Sequence, residues 1–306
     1  VFNVSGNVWV SIETVSKINN FSLGVITAGT NIVGGANLGG NFYANWTGNG
    51  YSETCTDADA DGICDTALTF DSNNTDFFPL AVAVLSTSIS SCQTLSTANT
   101  VYTLSASVFF TDTCFNITAS GVTLNCDGKT VEYGNFSSGY GVNITGVNST
   151  TVKNCVFLQQ NSSVQYSAAI YATLSNSSIF SNNTINTTGN FSYGIELQRS
   201  NFTNISSNTV NTTGNRSYAL TMVTSSGNNL TENTVSTQGA SNTYAINFTR
   251  SSSNLLQGNN VRTQGTSSNY GIILFTSNSN NVTGNTIITS GTTSYGIQAD
   301  YFPSDI

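Results

Sequence analysis

The 306-residue sequence has no histidine and little charge: 7 Lys and Arg against 15 Asp and Glu. Without imidazole there is neither a His-ligated metal centre nor a nucleophile activated by histidine. The formal charge of −8 excludes the basic footprint of a nucleic-acid-binding surface. The longest apolar run, Phe77–Leu85, contains Pro79 and is too short to span a membrane. Acids are scarce as well. Between Gly134 and Ser294 only Glu196 and Glu232 occur. A chain this poor in charge and rich in Asn, Ser, Thr and Gly would suit disorder, were it not periodic.

The period is about 25–27 residues, the range of solenoid repeats. The clearest copy starts at Tyr193, and others start at Tyr218, Tyr244, Tyr270 and Tyr295, with weaker ones near Tyr140 and Tyr166. Each copy carries three apolar beats. The first is Tyr193/Ile195/Leu197 and its equivalents. The second runs Ile179, Ile205, Leu230, Leu256, Val282, and the third Ile185, Val210, Val235, Val261, Ile287. Alternation at period two predicts short strands, and the Gly, Ser, Asn and Thr between them predict turns. No copy can bury its apolar face alone, so the copies must stack. The expected fold is all-β: a parallel β-helix with three strands per coil. No 3.6-residue amphipathic run exceeds two turns, which excludes a helical repeat.

Asn183, Asn208, Asn233, Asn259 and Asn285 precede the third beat at near-constant spacing. This resembles the asparagine ladder of the pectin-lyase-like superfamily, which implies a right-handed parallel β-helix. Residues 39–80, with Gly39-Gly40-Asn41-Phe42-Tyr43, an Asp-rich loop and Asp76-Phe77-Phe78-Pro79-Leu80, resemble the closing segment of NosD-type β-helix repeat proteins. From Cys92 to Cys155 the chain resembles the cysteine-pinned opening coils of secreted archaeal β-helix surface proteins. These resemblances imply closing coils over residues 1–80 and a disulfide-capped β-helix over 81–306. The end of one solenoid then precedes the start of another. That order suits either copies of the chain joined head to tail in a filament or array, or a piece of a longer multi-solenoid polypeptide.

Six cysteines point to an oxidising exterior. Fifteen pairings are open, and proximity with the one-coil spacing suggests Cys55–Cys64, Cys92–Cys114 and Cys126–Cys155. About twenty Asn-x-Ser/Thr sequons, among them Asn45, Asn116, Asn143, Asn186, Asn201, Asn211, Asn247 and Asn281, would carry N-linked glycans on an exported chain. The expected location is extracellular, secreted or at the cell surface.

One motif points to a metal. Asp57, Asp59, Asp61 and Asp65, with Gly62 after the third acid, match the first nine positions of an EF-hand-type loop. The carboxylates and the Ile63 carbonyl would hold a structural Ca²⁺. Position twelve is Leu68, so a further acid such as Asp71 or Asp76, or a water, would complete the shell. Cys55 and Cys64 flank this loop.

Catalysis is not expected from these residues. The outward positions of the first beat read Glu196, Thr221, Asn247 and Ile273, without an acid pair. Glu196 is expected to pair with Arg199 at the surface. The tyrosines share the phase of Ile and Leu and are expected to point into the core. The reading is a structural, non-enzymatic extracellular rod. The alternative is a carbohydrate-binding adhesin or a polysaccharide-processing β-helix enzyme, whose partner would be a cell-surface or matrix polysaccharide.

Overall fold

The computed structural model describes residues 19–20, 31, 37–45, 49–57, 61–82 and 85–300. Trp9, Trp46 and Asp59 lie outside these. The chain divides into two compact units, Val1–Leu85 and Ser86–Ile306.

The second unit is a parallel β-helix of three sheets. The first sheet has nine strands, the long ones being Tyr140–Thr145, Ala168–Thr173, Tyr193–Gln198, Tyr218–Val223, Tyr244–Thr249 and Tyr270–Phe275. The second also has nine and includes Asn204–Ser206, and the third has eight and includes Thr209–Thr212. Each strand pairs in parallel with its equivalent one coil away, as Ile195 with Leu220 and Val210 with Val235.

Apolar ladders fill the interior. Ile195, Leu220, Ile246 and Ile272 form one column and Leu197, Met222 and Phe248 another, all 0 % exposed. Each such side chain contributes about 1.5–3 kcal/mol by leaving water. In the second beat the core residue of the first copy is Phe180, not Ile179. Phe180 pairs with Ile205 and is fully buried, whereas Ile179 is 43 % exposed.

The asparagines form a ladder in the corner before the third sheet. Asn183, Asn208 and Asn233 each donate from Nδ2 to the next Oδ1 at 3.0 Å. The Nδ2 groups of Asn208 and Asn233 also reach the carbonyls of Phe180 and Ile205 at 2.8 Å. A serine ladder that the sequence reading missed runs beside the first sheet, where the amides of Ser200 and Ser225 donate to the next Oγ at 3.0 Å. Sharp corners also need left-handed residues, and here they are mostly not glycine: Arg199, Thr224, Arg250 and Thr276 stack with φ near +50°. Each costs about 1–2 kcal/mol. The cost is offset because each corner N–H reaches a carbonyl of the next coil, as Arg199 does to Val223 at 2.9 Å.

The first unit contains a short helix, Tyr51–Thr54, and a three-stranded sheet of Asn19–Asn20, Asn74–Asp76 and Leu68–Asp71. Asp76 is fully buried in it. Its carboxylate accepts from the Asn41 amide at 2.8 Å, the Tyr43 hydroxyl at 3.0 Å and the Phe78 amide at 3.1 Å. A Cβ on Gly40 would collide with that carboxylate, so the position requires glycine.

Disulfides join Cys55 to Cys64, Cys92 to Cys114 and Cys126 to Cys155.

Candidate functional site

The outer face of the first sheet carries the chemistry, because the strict alternation of its strands breaks after the tyrosine. In Tyr193–Gln198 both Gly194 and Ile195 are buried. A Cβ on Gly194 would run into the Val210 side chain, so this position faces the core. With two consecutive residues turned inward, Tyr193 is placed outside. The register repeats this: Tyr218 pairs with Tyr244 and Leu220 with Ile246, while Ala219 and Ala245 are skipped. The expectation of inward tyrosines is therefore corrected. Its physical cause is the small residue that follows each tyrosine, which packs inside where no larger side chain fits.

The tyrosines form an outer ladder, half-buried except for the exposed Tyr295. Tyr193, Tyr218, Tyr244, Tyr270 and Tyr295 stack in turn with ring centroids 5.3, 4.9, 5.2 and 5.7 Å apart. One coil earlier the row is interrupted, since Tyr193 pairs with Ala168 and Ala168 with Tyr140. Tyr171 leans into that gap from the neighbouring outward row and stacks on Tyr140 at 4.6 Å.

Glu196 follows Tyr171 in that row. It is partly buried, and loss of hydration holds its carboxyl above the ordinary glutamate range. The Gln198 amide donates to its Oε1 at 2.7 Å. Burial raises the phenols of Tyr140, Tyr171 and Tyr193, and the nearby charge of Glu196 raises them further. Tyr193 is pushed up to about 12. Arg199 pulls Tyr171 the other way. Among the described residues the only ion pair is Lys129–Asp127, so Glu196 and Arg199 do not form the expected one. Arg199 sits on a left-handed corner, and Glu196 is held by Gln198.

The margin of this face is aromatic too. Tyr166 stacks on Phe191 at 5.0 Å, and the Arg216 guanidinium lies 5.6 Å above the Phe191 ring. The site thus combines neutral phenols, amides, aromatic surface and one carboxyl that holds its proton more firmly than an ordinary glutamate. Such a set hydrogen-bonds hydroxyl-rich ligands and can move a proton.

The family model for the right handed beta helix region matches residues 99–261, more than half of the chain. The chain belongs to the right-handed β-helix family. No curated protein matches this β-helix protein. Among solved structures it is similar to the DFA-IIIase of Arthrobacter chlorophenolicus A6 in complex with GF2, with 12% identity and a TM-score of 0.45, covering 63% of this chain and 59% of that one. The same enzyme in complex with DFA-III gives 13% identity, a TM-score of 0.46 and coverage of 62% and 57%. A double mutant of the periplasmic alginate epimerase AlgG gives 15%, 0.44, 87% and 56%. This β-helix protein spans less than three fifths of the length of each. At these identities the likeness shows the fold alone.

The solved structures named above are enzymes, so the expectation of a chain without activity is corrected: the fold gives no ground for it. The expectation rested on a shortage of paired acids. A count of acids does not register the lifted carboxyl of Glu196 or the phenols that the fold turns toward it.

The remaining residues singled out in the sequence lie elsewhere. Asp57 accepts from the amides of Asp61 and Gly62 at 3.0 and 2.9 Å, and Asp61 accepts from Ile63 at 2.8 Å. Gly62 has φ +85° and Asp65 is exposed. Among the described residues no three metal-binding side chains are grouped. Of the sequons, Asn45 and Asn281 are exposed, while Asn116, Asn143, Asn186, Asn201 and Asn211 are half-buried. Asn247 is only 7 % exposed and its Nδ2 donates to Thr221 at 2.9 Å. Sequence reasoning named Glu196 but missed Tyr140, Tyr171 and Gln198 as its neighbours. The recurrent Gly or Ala after each tyrosine was the signal available for them.

Proposed function

We propose that this protein binds an extended polysaccharide along the outer face of the first sheet and acts on it through Glu196. The observation that carries the reading is the position of Glu196: a desolvated carboxyl on an outer row, beside a break in the tyrosine ladder and close to three phenols. Stacked coils rise about 4.8 Å, close to the length of one pyranose unit, so each coil offers its hydroxyl and amide groups to one sugar. Glu196 hands its proton to the leaving glycosidic oxygen as the C1–O bond breaks, and takes one back from the acceptor hydroxyl that forms the new bond to C1. Tyr171 and Tyr193, kept neutral, donate to the sugar hydroxyls and hold the unit in register. With one carboxyl rather than two at this place, the set suits glycosyl transfer better than two-carboxylate hydrolysis.

The test is a screen for transfer products and altered chain lengths on neutral and acidic polysaccharides. Glu196→Gln should retain binding and lose turnover by about 100-fold or more. Tyr218→Ala should weaken binding about tenfold with the chemical step kept. Undiminished turnover by the Glu196→Gln enzyme would remove Glu196 from the chemistry.

Three further expectations stand as proposals beside this one. Asp57, Asp59, Asp61, Asp65 and the Ile63 carbonyl hold a structural Ca²⁺ in a loop closed by Cys55–Cys64, and the amide-capped Asp57 and Asp61 support that loop shape. The protein works outside the cytoplasm and carries N-linked glycans at exposed sequons, which mass spectrometry of native material would map. Copies associate head to tail, which electron microscopy of that material would reveal as fibres.

A further inference from the structure

A shallow, open cavity of about 430 Å³ lies at the beginning of the first sheet. Its lining includes Gln93, Phe110, Asp112, Asn116 and the Cys92–Cys114 disulfide. The disulfide and the bond from the Asn116 amide to the Gln93 carbonyl at 3.2 Å fix the loop that walls it. Phe110 is 42 % exposed, so its ring stands at the mouth.

This cavity shares a row with Glu196. Asn116 pairs with Asn143, Asn143 with Tyr171, and Tyr171 with Glu196. The Asn143 Nδ2 donates to the Asn116 Oδ1 at 3.1 Å, so the row is tied together at this end. From Asn116 to Glu196 is three coils, about 14 Å at the rise of stacked strands.

The lining dictates the ligand. A carboxylate and two amides accept from and donate to vicinal hydroxyls, and an aromatic ring covers the C–H face of a sugar. No Lys or Arg lines the cavity, and Asp112 would repel an anion. A neutral sugar fits and a uronate or phosphate does not.

We propose that this cavity binds the terminal neutral sugar of the chain that lies on the outer face, so that Glu196 acts about three units in from that end. The inference rests on the reading of that face as a polysaccharide site. It makes the enzyme one that measures from a chain end.

The experiment uses neutral glucan, fructan and xylan oligosaccharides of graded length, with binding measured by calorimetry and products by chromatography. Asp112→Asn and Phe110→Ala should each weaken binding about tenfold, and products should be short with one dominant length. Phe110 is exposed and Asp112 half-buried, and thermal melting of the variants checks their folding. If neither variant changes binding while Tyr218→Ala still weakens it, the cavity assignment falls and the reading of the face survives. Products of random length, or a glycan found attached to Asn116, which would fill the cavity, overturn it equally. If no polysaccharide or oligosaccharide binds the wild-type protein, both readings fall together.

Discussion

The coils from Ser167 onward and the described residues of the first unit are stabilised in opposite ways. In the coils each contact is made many times over: an asparagine bonds the next asparagine, and that one bonds the next again. Among the described residues of the first unit the central contacts are made once, around the buried Asp76. A repeated lattice spreads a defect over its neighbours, whereas a single hub has nothing to share it with. Redundancy also frees a repeat to vary its outward positions, which is how one coil can carry Glu196 where the next carries Thr221.

The contrast can be broken first at the hub. Asp76→Ala strands the Asn41, Tyr43 and Phe78 donors and should destabilise the first unit by about 3–5 kcal/mol, read by urea unfolding. Asn208→Ala removes donors to Phe180 and Asn233 and should cost about 2 kcal/mol. An equal or larger loss for Asn208→Ala would remove the distinction between hub and lattice. Chelating Ca²⁺ should lower the melting of the first unit and leave that of the coils unchanged. An unmoved first transition would dismiss the calcium loop.

Smaller effects come from the outer face. A carboxyl whose folded pKa is raised contributes fully below the ordinary glutamate value and loses that contribution as pH rises through the raised one. Glu196→Gln should therefore flatten the fall in stability across that window and be slightly stabilising at neutral pH. The same sign applies to Tyr193, whose shift to about 12 predicts a loss of stability beginning near the ordinary tyrosine pKa of 10.0 and complete above 12. Tyr193→Phe should remove that part of the alkaline loss in a pH titration followed by circular dichroism.

The fold was legible in the sequence because a solenoid writes its core as a period. Ile205, Leu230 and Leu256 recur at offsets of 25 and 26 residues, and stacked coils bury them all. The asparagine ladder was legible for the same reason. The orientation of the tyrosines was not, because period-two alternation assumes an unbroken pleat, and the inward Gly194 shifts the phase by one residue. The register slip from Ile179 to Phe180 was hidden because two large apolar residues stand side by side. The site itself was half legible. Glu196 was visible as a rare acid, but its desolvation and its tyrosine neighbours depend on contacts between residues a full coil apart.

The most direct test is a crystal structure of the Glu196→Gln protein soaked with a mixture of neutral oligosaccharides. Sugar density is expected along the first sheet from the Asp112 cavity past Ala168 and Tyr171, with one unit over position 196. Density on either of the other two sheets, with this face bare, would contradict it.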